Sequence, residues 1–172
     1  MSIQIGQSLP DLEVAVIEDG APVRRLPTAS LLGGARGVLF AVPGAFTPTC
    51  SDHHLPGYVQ HFREFQERGV EVFGMAVNDA YVMQAWAAIQ QVPQGLRLLA
   101  DGNGSFTRAL GLELDGTAYG MGLRARRFAL YAEHGVVRQL HVEAPGEFRV
   151  STAEAMLQAL TPQDANAPAT IG

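Results

Sequence analysis

The sequence predicts an α/β fold: a central mixed β-sheet flanked by helices and entered through an N-terminal hairpin. Three observations carry this. Short apolar runs of strand length alternate with segments whose apolar residues recur at helical spacing. Asp19-Gly20, a strong tight-turn signal, separates two extended runs near the N-terminus. A second pair of extended runs flanks Glu133-His134-Gly135 late in the chain, which adds antiparallel strands to the alternating section. A length of 172 residues suits one domain with a sizeable core. That domain is expected over residues 1–160, with a short polar tail over 161–172.

The elements follow in order. Leu12 to Ile17 and Pro22 to Leu26 are the arms of the first hairpin. Gly33-Gly34 opens a buried strand over Val38–Val42. After Cys50, the residues Leu55, Tyr58, Val59, Phe62 and Phe65 mark a helix that Gly69 ends. Val70 to Val77 is a second buried strand. Val82, Ala85, Trp86 and Ile89 mark a further amphipathic helix, stopped by Pro93. Leu96 to Ala100 is a short strand, and Phe106, Ala109 and Leu110 mark a short helix. Arg127 to Ala132 and Val136 to Val142 form the late hairpin. Ala153, Met156, Leu157 and Leu160 face the core from a last helix.

Composition narrows the function. A net charge of −5 gives no electrostatic basis for binding nucleic acid or an anionic membrane. The N-terminus lacks the charged and apolar regions of a signal peptide. No apolar run is long enough to span a membrane, and a cytoplasmic location is expected. The single cysteine excludes an internal disulfide and a two-cysteine redox motif, and is compatible with a reducing compartment.

That cysteine sits in the most constrained stretch of the chain, Val42-Pro43-Gly44-Ala45-Phe46-Thr47-Pro48-Thr49-Cys50-Ser51. Two prolines and a glycine restrict the backbone just ahead of it. A thiol placed by a rigid turn at the start of a helix meets unpaired N–H groups and the positive end of the helix dipole, which favour a thiolate. A lone cysteine is more often an inert core residue, but the polar neighbours Thr47, Thr49, Ser51 and Asp52 argue against that here. Thr47 fits either of two roles: capping the helix, or a hydrogen bond to the sulfur and to a substrate oxygen. Pro43 is either a plain turn residue or a shield that keeps bulk water and oversized substrates from a thiolate.

Other candidates are weaker. Cys50, Asp52, His53 and His54 resemble a metal cluster, but adjacent histidines diverge on a helix and no second cluster supplies ligands. One of these imidazoles is instead a candidate base for the thiol, against the commoner case of a surface or satisfied histidine. Gly102-Asn103-Gly104 lacks the spacing and lysine of a phosphate loop and is read as a turn. Arg124, Arg126 and Arg127 precede the late hairpin. Such a run is usually a solvated face. Period-2 alternation nevertheless puts Arg127 and Ala129 opposite Phe128 and Leu130, which lets Arg127 aim inward at an anion.

The stretch from Pro43 to Ser51, followed by His54-Leu55-Pro56-Gly57, resembles the type-5 (atypical) peroxiredoxins. The likeness continues through Val77-Asn78-Asp79, Leu98 to Asp101, Gly122 to Phe128 and Val142-Glu143, and covers nearly the whole chain. It implies a thioredoxin-like fold and thiol peroxidase activity toward hydrogen peroxide and alkyl hydroperoxides. It implies Cys50 as the peroxidatic nucleophile, Thr47 as the residue that hydrogen-bonds the peroxide, Pro43 as the shield, and Arg127 as the group that stabilises thiolate and polarises the O–O bond. His54, Gly44 and Phe46 are carried over as pocket residues. No metal or organic cofactor is implied.

The sequence departs from the family at Thr49, where many relatives have glycine, and at Ala125, where serine is common. Ser151 stands about where two-cysteine members carry their resolving cysteine, and Ser151-Thr152-Ala153-Glu154 fits a capping box. The chain therefore resembles the one-cysteine bacterial branch. An external thiol is then required, glutathione or a glutaredoxin in preference to thioredoxin, and a homodimer is expected. The rival expectation is a peroxide sensor whose oxidised Cys50 alters a partner interface.

Overall fold

The structure, a computed structural model, describes residues 1–160; the tail expected over 161–172 lies outside the described residues. Its strands are β1 (Glu13–Ile17), β2 (Arg24–Pro27), β3 (Gly37–Ala41), β4 (Glu71–Ala76), β5 (Arg97–Ala100), β6 (Glu113–Asp115), β7 (Leu123–Ala125), β8 (Phe128–Glu133) and β9 (Val136–Val142). Its α-helices are α1 (Thr28–Leu32), α2 (Leu55–Gln60), α3 (Phe62–Glu67), α4 (Ala80–Ile89), α5 (Ser105–Leu110) and α6 (Ala153–Leu160). Seven strands form one mixed sheet in the order β2-β1-β5-β4-β3-β8-β9. β3, β4 and β5 run parallel, because helices carry the chain back between them, and the two hairpins close the edges antiparallel. No described helix is long and apolar enough to cross a membrane.

All five residues of β3 are buried, since helices cover both faces of the sheet. Val38 and Phe40 face a core with Tyr58, Phe65, Met83, Trp86, Met156 and Cys50. Leu39 and Ala41 face the opposite core with Phe73, Met75, Phe106, Phe128 and Leu130. The β3–β8 register pairs Phe40 with Ala129 and Ala41 with Phe128. Arg127 therefore stands just beyond the C-terminal end of β3, where the chain turns into Pro43. Its side follows Ala129 and Tyr131, which belong to the core that holds Cys50.

Several expectations need correction. The helix read from Cys50 to Gly69 is three pieces. Cys50–His54 is a π turn in which the Leu55 N–H reaches the Cys50 carbonyl, and α2 and α3 are separated at His61. Pro56 gives the reason for the π turn. It has no N–H for the Asp52 carbonyl and its ring crowds that oxygen, which the wider turn relieves. Ile89 is 69% exposed and lies off the buried face of α4. The cap of α6 is Thr152, whose Oγ1 accepts the Ala155 N–H at 3.0 Å, one residue past the expected Ser151. Helix α1 and the separate β6–β7 ribbon lie outside the elements expected from the sequence.

Candidate active site

The turn after β3 is fixed from outside by Asn78, which follows β4. Its Oδ1 accepts the Ala45 N–H at 2.9 Å. Phe46 has φ +66°, a left-handed conformation that is costly for a bulky residue, and its ring is 49% exposed. Gly44 packs so closely that a Cβ there would lie 3.1 Å from Arg124 Nη1 and 3.2 Å from Thr47 Cγ2. Helical backbone begins at Pro48, a favourable first position, and puts Cys50 in the first turn.

Cys50 is completely buried. Its sulfur accepts a hydrogen bond from Arg127 Nη2 at 3.1 Å, while Arg127 Nη1 donates to His54 Nδ1 at 2.8 Å. One guanidinium fork thus spans thiol and imidazole. The guanidinium is thus a charge-assisted donor aimed at the reacting sulfur. The Arg127 guanidinium also lies 5.7 Å from the ring centre of Phe148.

His54 is not a base for the thiol. Its Nε2 lies 3.0 Å from the Ser151 carbonyl, which can only accept, and its Nδ1 faces Arg127, which can only donate. The ring must therefore be neutral with its proton on Nε2. Burial, and next the Arg127 charge, push its pKa down to about 3, against a smaller opposing effect of the Ser151 bond. Tyr58 also donates to the Ser151 carbonyl, at 2.8 Å, and stacks on Phe40 with ring centres 4.0 Å apart.

The chain matches the redoxin family over residues 4–157. It is 44% identical over 163 residues to Peroxiredoxin-2E, chloroplastic, of Arabidopsis thaliana, spanning 92% of this chain and 70% of that protein. The chain belongs to the redoxin family, among the peroxiredoxins. Peroxiredoxin-2C of Oryza sativa subsp. japonica is 40% identical over 159 residues, spanning 92% of this chain and 98% of that one. The crystal structure of reduced Prx3 in complex with hydrogen peroxide from Vibrio vulnificus superimposes with a TM-score of 0.85 at 46% identity, covering 92% and 99% of the two chains. The fold is thioredoxin-like, and these relatives make the chain a peroxidase oxidoreductase that works through a peroxidatic cysteine.

In this peroxiredoxin buried Cys50 and His54 and half-buried Arg127 come together at the end of the turn that carries Thr47. Of its expected contacts, Thr47 does not make the one to the sulfur: its Oγ1 donates to the Gly44 carbonyl at 2.7 Å. With that hydrogen committed, the oxygen's lone pairs are left to accept. Pro43 and Arg127 line a cavity of about 440 Å³ together with Thr49, Arg126 and Phe148. The three clustered arginines have three environments. Arg124 ties the Met121 and Val77 carbonyls, Arg127 reaches Cys50, and Arg126 faces the cavity.

The sequence reading missed Glu143 as a site residue. Its Oε2 accepts the N–H groups of Arg149, Val150 and Ser151 and the Ser151 hydroxyl, at 2.6–2.9 Å. Burial alone would raise this carboxyl. The donors of Ser151, Arg149 and Val150 outweigh it and hold the group below its usual range. The clamp fixes the Ser151 carbonyl, and through it His54 and Arg127. Its signals were the place of Val142-Glu143 in the family likeness and an acid that ends a strand just before Ala-Pro-Gly. Among the described residues no cluster of three or more His, Cys, Asp or Glu is placed to hold a metal.

Proposed function

We propose that this peroxiredoxin reduces hydrogen peroxide and alkyl hydroperoxides through Cys50, with an external thiol, glutathione or a glutaredoxin, as reductant. The observation that carries the reading is the 3.1 Å bond from Arg127 Nη2 to Cys50 Sγ. The Cys50 thiolate attacks one peroxide oxygen, the O–O bond breaks, and the departing alkoxide or hydroxide takes up a proton to leave as alcohol or water. Sulfur is oxidised to sulfenic acid and peroxide is reduced. Arg127 stabilises the attacking sulfur and the oxygen that gains charge. Thr47 Oγ1, its own hydrogen held by Gly44, accepts from the peroxide O–H and orients it.

The chain holds one cysteine, so a second protein thiol cannot resolve the sulfenic acid within the chain. An external thiol R–SH attacks Cys50–S–OH, forming Cys50–S–S–R and releasing water. A second thiol then releases Cys50 and leaves as part of R–S–S–R. A cytoplasmic, reducing location fits this chemistry. The exposed rings of Phe46 and Tyr119, 49% and 83% exposed, support the proposed homodimer, with the site near its interface.

Intact-mass spectrometry of peroxide-treated protein, with and without glutathione, tests the reading alongside Cys50→Ser. Peroxide alone should add one oxygen and then, in excess, a second. Glutathione should replace it with one glutathione per chain and sustain turnover. Cys50→Ser should remain folded and consume no peroxide. Peroxide consumption by Cys50→Ser would overturn the role of Cys50. Efficient cycling with thioredoxin, with no glutathione adduct, would overturn the choice of reductant. A single oxidation with no turnover under any thiol would point to a sensor instead.

A further inference from the structure

We infer that the 440 Å³ cavity beside Cys50 is the binding site of the reducing thiol, and that Arg126 is its carboxylate anchor. This rests on the proposed glutathione-type reductant and adds where and how that molecule is held. The cavity is far larger than the peroxide needs. One water-sized group takes roughly 30 Å³ of liquid volume, whereas small-molecule sites typically run from about 300 to 1,000 Å³. Its wall includes Thr49, the residue before Cys50, and Arg127, whose guanidinium reaches the buried sulfur, so a molecule filling it lies against the residues that adjoin the reacting group.

Its charges name the ligand class. Arg126 lines the cavity with its guanidinium nearly unengaged: among the described residues its one hydrogen bond is a long 3.5 Å contact from Nη2 to the Glu143 carbonyl. Among the described residues no carboxylate lies within ion-pair distance of Arg126. A planar fork of donors at a partly buried position suits a carboxylate. Arg127 cannot take that role, since both of its arms are held by Cys50 and His54. Two carboxylates on the wall offer the opposite charge for an ammonium group: Glu147, shared with Arg149 at 3.5 Å, and Glu143, whose Oε1 has no hydrogen-bond partner among the described residues. The ligand is therefore a thiol of tripeptide size carrying both a carboxylate and an ammonium.

The test compares thiols within each variant. For Arg126→Ala and Arg126→Gln, the efficiency of glutathione relative to uncharged 2-mercaptoethanol should fall about ten-fold, the loss of one charge-assisted contact. Arg126→Lys should recover part of it. In parallel, S-methylglutathione, which cannot reduce, should slow iodoacetamide alkylation of Cys50 in the wild type and not in Arg126→Ala. An unchanged thiol ratio in both variants, with equal protection by S-methylglutathione, would overturn the site while leaving glutathione as reductant. Absence of turnover with glutathione, but Arg126-dependent protection by S-methylglutathione, would keep the site and overturn the choice of reductant. If Arg126→Ala does not fold, the Gln and Lys pair decides the matter alone.

Discussion

His54 Nδ1 accepts a hydrogen bond from Arg127 Nη1 at 2.8 Å, and the other arm of the same guanidinium reaches Cys50 Sγ at 3.1 Å. The histidine acts on the sulfur only through the arginine. As an acceptor it aims the fork, and a second positive charge on the ring would repel Arg127 and break that bond. The site therefore needs His54 neutral.

That requirement gives a pH dependence of stability. The folded ring titrates at about 3, below the ordinary 6.5. The unfolded chain therefore binds the extra proton first as pH falls. The stability linked to His54 is complete above about pH 6.5 and is lost progressively toward pH 3, with a slope of up to about 1.4 kcal/mol per pH unit. Carboxylates such as Glu143 add to the loss below about pH 4.5, which leaves pH 5–6.5 to the histidine. Urea unfolding at stepped pH should show this slope in wild type and a flatter one in His54→Asn. Parallel slopes would mean that the ring is already charged in the fold.

Thr47 allows a test of geometry against bulk. Thr47→Ser keeps the hydroxyl that donates to Gly44, and should retain most of the rate of peroxide reaction. Thr47→Val keeps the shape, removes the oriented acceptor and leaves the Gly44 carbonyl without that donor. Its rate with peroxide should fall about ten- to hundred-fold, and its stability by about 1 kcal/mol. Stopped-flow oxidation of Cys50 reads the first effect. A wild-type rate in Thr47→Val would remove Thr47 from the site.

Glu143 should act as a positioning residue at a distance. Glu143→Gln weakens four hydrogen bonds to Oε2 and frees the 149–151 segment that carries the Ser151 carbonyl. A stability loss of about 1–3 kcal/mol is expected. If the clamp also sets Arg127, alkylation of Cys50 at neutral pH and oxidation by peroxide should slow together, by several-fold. Ser151→Ala, which keeps the backbone carbonyl and N–H, should show a smaller effect of the same kind. A stability loss with both Cys50 rates unchanged would make Glu143 purely structural.

Much of this was legible in the sequence for local reasons. Strand and helix periods, the Asp19-Gly20 turn and the Pro-Gly stretch before Cys50 are short-range signals, and alternation along β8 already put Arg127 and Ala129 on one face. The nucleophile was unambiguous because the sequence holds a single cysteine. Pattern and spacing left the long-range relations open, and Arg127 was expected at the thiolate only through the family resemblance. Arg127 lies 77 positions from Cys50 and Ser151 lies 97 from His54, and no pattern in a chain specifies which distant atoms meet. The β3–β8 register brings the arginine to the sulfur. The tautomer of His54, the commitment of the Thr47 hydrogen to Gly44 and the clamp of Glu143 all depend on which donor faces which acceptor after burial. Once water is excluded nearly every buried polar group finds a protein partner, and only the packed tertiary structure decides which one.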